Sequence, residues 1–168
     1  QGCTLGVREI DPHVEVFERF GANVERKPEA LLMRVDGALQ ANDHWLDYAS
    51  VTTTENFVLC AALARGTSTL TNAASEPHVQ EFCAFMSMLG ARIEGRGTSR
   101  LTIHGVDKLG GGEFRFAEDF HEAVTFMALG AITGGSIEVR NSAPGQFPLI
   151  DRTFAKFGVH VQHEAGWS

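Results

Sequence analysis

Phe20-Gly21-Ala22-Asn23-Val24-Glu25 returns as Leu89-Gly90-Ala91-Arg92-Ile93-Glu94, and a third time as Phe157-Gly158-Val159-His160-Val161-Gln162. The three glycines stand 69 and 68 residues apart. A second marker keeps the same step. Leu63-Ala64-Arg65-Gly66 with Asn72-Ala73-Ala74 matches Ile132-Thr133-Gly134-Gly135 with Asn141-Ser142-Ala143, again 69 residues on. Two markers in phase define a repeat, and a repeat of this length is one supersecondary unit that stacks on its copies.

One full unit reads in order. Ser50 to Ala64 carries a helical apolar face through Val51, Phe57, Val58, Ala61 and Ala62, with the hydroxyls of Thr52-Thr53-Thr54 near its start. Gly66 closes it. Thr67 to Thr71 is β-branched and reads as a strand. Pro77, behind Ser75 and Glu76, opens a second helix that ends at Gly90. Ala91 to Glu94 is a strand, Gly95 to Ser99 a turn, and Arg100 to His104 a strand. The fold class is therefore mixed α/β, built from ~69-residue helix-strand-helix-strand-strand units. Such a unit cannot bury its apolar face alone, so copies pack around a shared core. About two and a half units are expected here, cut at both ends. The opening Gln1-Gly2-Cys3, with no methionine, leads to the expectation of a piece of a longer chain. Asp107 to Glu113, with three consecutive glycines, is the expected hinge.

Composition bounds the function. Apolar residues make up 43% of the 168 and charged ones 21%, enough for a real core. A net charge of -7 argues against a nucleic-acid partner, which needs a basic face. No apolar run reaches the length of a membrane span, and no signal peptide is expected in the polar, glycine-containing start. Cys60 and Cys83 sit in apolar helical patterns and read as small buried hydrophobes. The odd set of three cysteines lacks metal-ligand spacing and points to a reduced, cytoplasmic setting.

Several runs resemble the UDP-N-acetylglucosamine 1-carboxyvinyltransferase family of enolpyruvyl transferases. Gly2-Cys3-Thr4-Leu5-Gly6-Val7-Arg8 resembles the catalytic loop, and Ala49-Ser50-Val51-Thr52-Thr53-Thr54-Glu55-Asn56 the "SVGATEN" helix start. Asn72-Ala73-Ala74-Ser75-Glu76-Pro77 is similar to "NAAxEP". Gly90 to Gly95 followed by Leu101 to Val106 is similar to "GAxIxGxGTxxLTIxGV". The likeness covers nearly the whole chain and only the middle of a complete family member. It implies an inside-out α/β barrel made of two lobes, with residues 1-112 an incomplete repeat plus one full repeat of the first lobe, and 113-168 the start of the second.

The resemblance also implies roles. Cys3, on a glycine-flanked loop, matches the cysteine that protonates the methylene carbon of phosphoenolpyruvate and that fosfomycin alkylates. Arg8 matches an arginine holding phosphate or diphosphate, for which its guanidinium fork is suited. Glu9, Ile10, Asp11, Pro12 and His13 continue the segment set against the uridine end of the nucleotide sugar. Asp11 before Pro12 also reads as an ordinary helix cap. Ser50, Val51 and Thr52 open a helix whose free N–H groups suit a diphosphate, and capping alone is the plainer account. Tyr48 stands where some relatives have lysine. Asp119 and Glu122 match two acids of "PDRIExGTF", but Glu118 and Phe120 replace its proline and arginine, so both acids read as hinge or structural residues. His104, His121, His160 and His163 show no ligand spacing. No metal or organic cofactor is implied. The expected partners are small molecules, phosphoenolpyruvate and UDP-N-acetylglucosamine, together with the rest of the polypeptide. The family's early Lys-Asn pair, later aspartate base and late arginines are not among these residues, so the 168 alone are expected to be inactive. Two alternatives stand beside this reading: a transferase acting on shikimate 3-phosphate, and a degenerate paralogue that only binds.

Overall fold

The structure is a computed structural model that describes residues 9–140 and 144–163. The chain divides into two compact units, residues 1–114 and 115–168.

The first unit is organised around one helix, α2 (Val51–Leu63). Its Thr53, Thr54, Phe57, Val58, Ala61 and Ala62 are all fully buried, so most of its circumference is core. α1 (Asp11–Arg19) packs on one side and α3 (Pro77–Met88) on the other. A four-stranded sheet, in the order β3 (Asp43–Trp45), β4 (Thr67–Thr71), β6 (Arg100–His104), β5 (Arg92–Glu94), covers α2 and α3. β3 runs parallel to β4 and the other pairs are antiparallel, with Thr69 opposite Thr102 and Ile93 opposite Ile103. The period-2 alternation of β4 and β6 turns Ser68, Leu70, Leu101 and Ile103 inward. Burying each apolar side chain of this size contributes about 1.5–3 kcal/mol. β1 (Ala22–Lys27) and β2 (Ala30–Val35) form a separate antiparallel hairpin beside α1.

The 69-residue step is visible in the backbone. Gly21, Gly90 and Gly158 all adopt positive φ, at 103°, 107° and 77°. Each follows a helix, and each donates its N–H to the carbonyl three residues back: Glu18, Ser87 and Ala155. Ala91 and Val159 then bond back to Met86 and Phe154, completing Schellman ends at two of the three copies. Glycine is needed here because a side chain disfavours this left-handed region.

The segment expected to be a hinge lies along the first unit. Gly110 donates to the Leu89 carbonyl at 2.7 Å, Leu109 packs on the core, and Phe114 meets the Phe85 ring edge-on. The division of the chain falls after Phe114.

The second unit contains α4 (Phe120–Thr133), a 3₁₀ turn (Pro144–Gln146) and α5 (Pro148–Ala155). The helices of the third copy are therefore present, whereas its described strand segments are not in a sheet. Among the described residues, Ser136–Val139 and Val159–His163 belong to no sheet. A strand is a property of a pair, and among the described residues no strand lies alongside these segments. Phe157 is 81% exposed, whereas Phe20, at the same place in the first copy, is 0% exposed. Asn141, Ser142 and Ala143, part of the second repeat marker, lie outside the described residues.

Candidate active site

Cys3 and Arg8 also lie outside the described residues. The remaining site residues expected from the sequence sit at two helix starts of the first unit.

At the start of α2, Ser50 is the N-cap, with its Oγ accepting from the Thr53 N–H at 3.4 Å and from the Thr53 hydroxyl at 2.9 Å. The Ser50 N–H is held by the Tyr48 carbonyl at 2.8 Å, and the Ser50 carbonyl receives Thr54 from both its N–H and its hydroxyl. Of the first N–H groups that a helix cannot satisfy internally, those of Val51 and Thr52 have no acceptor among the described residues. The Val51 side chain packs against the core, so this residue has only its backbone to offer. Thr52 is exposed and Tyr48 is 49% exposed beside it. These open N–H groups and the positive end of the helix dipole favour an anion.

At the start of α1, the capping expectation for Asp11 is corrected. The N-cap is Ile10, without a side-chain bond, and Asp11 is the first helical residue. Its carboxylate pairs with Arg26 of β1 across the surface. Pro12 follows in the first turn, where the missing N–H costs nothing. Glu9 and Ile10 are exposed. Asp11 is thus turned to the β1–β2 hairpin and, among the described residues, bonds none of the other expected site residues.

His13 connects the two starts. Its Nε2 is 3.5 Å from Thr52 Oγ1, and its Nδ1 is 2.8 Å from the side-chain amide nitrogen of Asn56, one turn further along α2. So His13 and Thr52, both expected from the sequence, come together. Asn56 stands within the helix-start motif and carries no site expectation of its own. Only its position four residues after Thr52, on one helix face, could have flagged it.

Several other titratable groups belong to the fold. Burial pushes the thiols of Cys60 and Cys83 up to about 11. Asp119 caps α4 by accepting from the His121 N–H at 2.8 Å, and that bond holds its carboxyl below the usual value. Asp119 thus serves as the N-cap of α4. His104 is a strand histidine bonded to Thr67 and Glu94. His163 pairs with Asp151 at 2.9 Å. Among the described residues no group of three His, Cys, Asp or Glu side chains is placed to hold a metal. A cleft of about 710 Å³ lies in the second unit between Phe126, Gly130, Ile137, Val139, Val159 and Val161. It contains none of the expected site residues and is lined by residues 136–139 and 159–162 of the third copy.

Known proteins share both sequence and fold with this chain. The family profile described as EPSP synthase (3-phosphoshikimate 1-carboxyvinyltransferase) matches residues 2–167. The UDP-N-acetylglucosamine 1-carboxyvinyltransferase of Treponema denticola is 39% identical over 167 residues, covering 99% of this chain and 37% of the relative. That of Borreliella burgdorferi is 36% identical over 163 residues, covering 97% and 38%. The chain thus spans somewhat more than a third of the length of these relatives. In three dimensions it resembles the enolpyruvyl transferase NikO from Streptomyces tendae, with a TM-score of 0.79 at 20% identity over 97% of this chain and 42% of that one. It also resembles EPSP synthase from Acinetobacter baumannii, with a TM-score of 0.60 at 21% identity over 82% and 32%. The mixed α/β repeat is that of the enolpyruvyl transferase fold, and with the family profile matched across almost its whole length the chain belongs to the EPSP synthase (3-phosphoshikimate 1-carboxyvinyltransferase) family.

Proposed function

We propose that the protein containing these residues transfers the enolpyruvyl group of phosphoenolpyruvate to the 3-hydroxyl of UDP-N-acetylglucosamine, the first committed step of peptidoglycan synthesis. The observation that carries the reading is the meeting of two helix starts at His13 and Thr52. One of those helices follows the Gly2-to-Arg8 motif in sequence, and the other offers the open N–H groups of Val51 and Thr52. The named relatives at 36% and 39% identity favour the nucleotide sugar over shikimate 3-phosphate as acceptor.

In this reading the sugar oxygen adds to C2 of phosphoenolpyruvate while the Cys3 thiol delivers its proton to C3. A base elsewhere in the protein takes the hydroxyl proton. The tetrahedral adduct then expels phosphate and loses a proton from C3, which restores the double bond as the enolpyruvyl ether. Arg8 faces the phosphate, while the α2 start and the Glu9-to-His13 segment hold the nucleotide sugar in place. The half-buried thiol of Cys60 and the buried one of Cys83 suit a reducing cytoplasm, and no helix of the described residues is long and apolar enough to cross a membrane.

The test is turnover by the full-length protein. Phosphate release from phosphoenolpyruvate should depend on UDP-N-acetylglucosamine and vanish in Cys3→Ala. Turnover with shikimate 3-phosphate instead would move the enzyme to the other acceptor. Binding of the nucleotide sugar without turnover would leave a binding module.

A further inference from the structure

We propose that Asn56 is a positioning residue for the nucleotide sugar, acting through His13. Its amide fixes the imidazole with the proton on Nε2, and His13 presents that N–H beside the Thr52 hydroxyl to an acceptor oxygen of the sugar nucleotide. The proposal rests on the transferase reading above.

The chemistry of the two side chains carries the argument. The nitrogen of a carboxamide only donates, so a ring nitrogen 2.8 Å from it must accept. An accepting Nδ1 has no proton, and the neutral imidazole then carries its proton on Nε2. Among the described residues, that second nitrogen meets only the Thr52 hydroxyl. Its contact to Thr52 Oγ1 is 3.5 Å, at the outer limit for a hydrogen bond. His13 and Asn56 are half-buried, which holds the ring in place, while Thr52 beside them is exposed. The N–H therefore points to the rim where the α1 and α2 starts meet and where the Val51 and Thr52 N–H groups have no acceptor among the described residues. An aspartate at 56 would do the reverse, since a carboxylate accepts and would draw the proton to Nδ1, leaving a lone pair facing the substrate oxygen.

The experiment uses full-length protein with ¹⁵N-labelled histidine. The His13 signals, assigned by their loss in His13→Gln, should show a protonated Nε2 and a bare Nδ1. Asn56→Asp should invert that pattern. Turnover should show the KM for UDP-N-acetylglucosamine rising roughly 3- to 10-fold, the effect of one lost hydrogen bond, while kcat and the KM for phosphoenolpyruvate stay within about twofold. In His13→Gln, adding Asn56→Asp should change the KM no further, because the second residue acts through the first. A purely structural Asn56 would lower the melting temperature, affect both substrates alike and add to His13→Gln. A proton on Nδ1 in the unmutated protein overturns the proposal, as does an inverted tautomer with an unchanged KM. If the full-length protein uses shikimate 3-phosphate instead, the acceptor named here is wrong, while the ¹⁵N pattern still decides the Asn56–His13 pairing.

Discussion

The Thr54 hydroxyl accepts a hydrogen bond from the Ala74 N–H at 3.0 Å and donates one to the Ser50 carbonyl at 2.7 Å, tying the first turn of α2 to the loop after β4. Thr54 is fully buried and Ala74 is 2% exposed, so no water can replace either bond. Thr54→Val keeps the shape and strands a buried N–H, which should cost about 1–3 kcal/mol. Thr54→Ser keeps the hydroxyl and should lose clearly less. The midpoint of denaturant unfolding of the full-length protein measures both, and equal losses would show that packing, not the hydroxyl, matters.

A second pair of variants tests the close approach of β6 to the end of α2. A β-carbon on Gly105 would stand 1.6 Å from the Ala64 carbonyl oxygen, and Gly105 itself bonds Gly66 at 2.9 Å. Backbone on both sides leaves nowhere to move. Gly105→Ala should destabilise by at least the ~1–3 kcal/mol usual for overpacking. Gly111→Ala, where nothing lies within 4 Å, should be close to neutral. Comparable unfolding midpoints for the two variants would refute the contact.

How much of this was readable beforehand follows from the range of each interaction. α2, α3, β4 and β6 were legible because periodicity and the punctuation by Pro77, Gly90 and Gly95 are local signals. β3 was not, since three residues carry no pattern and its parallel pairing with β4 joins Asp43 to Thr69. The strand segments of the third copy, outside any sheet among the described residues, show the same limit from the other side. Val159-His160-Val161-Gln162 has the right alternation, but pairing needs a neighbour. Asp11 has the chemistry of a cap, yet its carboxylate goes to Arg26, fifteen residues away. The His13–Asn56 contact spans forty-three residues, which no spacing rule reaches.

Thiol reactivity should separate the three cysteines. With pKa values near 11, Cys60 and Cys83 are thiolate in about one part in a thousand at pH 8, whereas an ordinary thiol near 8.5 is ionised in roughly a quarter of molecules. Brief treatment of the full-length protein with iodoacetamide at pH 8 should therefore label Cys3 and spare Cys60 and Cys83. Peptide mass spectrometry reads the ratio. Early labelling of Cys60 or Cys83 would contradict their burial, and a Cys3 that resists both iodoacetamide and fosfomycin would count against the transferase chemistry.

His44 sets a pH dependence of stability. It lies in β3 with 7% exposure, its ring stacked on Phe57 at 6.3 Å. Burial lowers its pKa below 6.5, with Arg19 acting in the same direction, while Glu15, 4.0 Å away, and Asp47 oppose the shift. A histidine whose pKa is depressed on folding takes up a proton more readily when unfolded. Stability is then fully present above 6.5 and falls as pH drops from there towards the folded-state pKa, where the loss levels off. Unfolding free energy of the full-length protein, measured between pH 7 and pH 5, should decline on this account, and His44→Gln should remove that part of the slope. A slope that survives the substitution would assign the dependence to other groups, and one that steepens would mean that the attraction of Glu15 and Asp47 for the imidazolium outweighs desolvation.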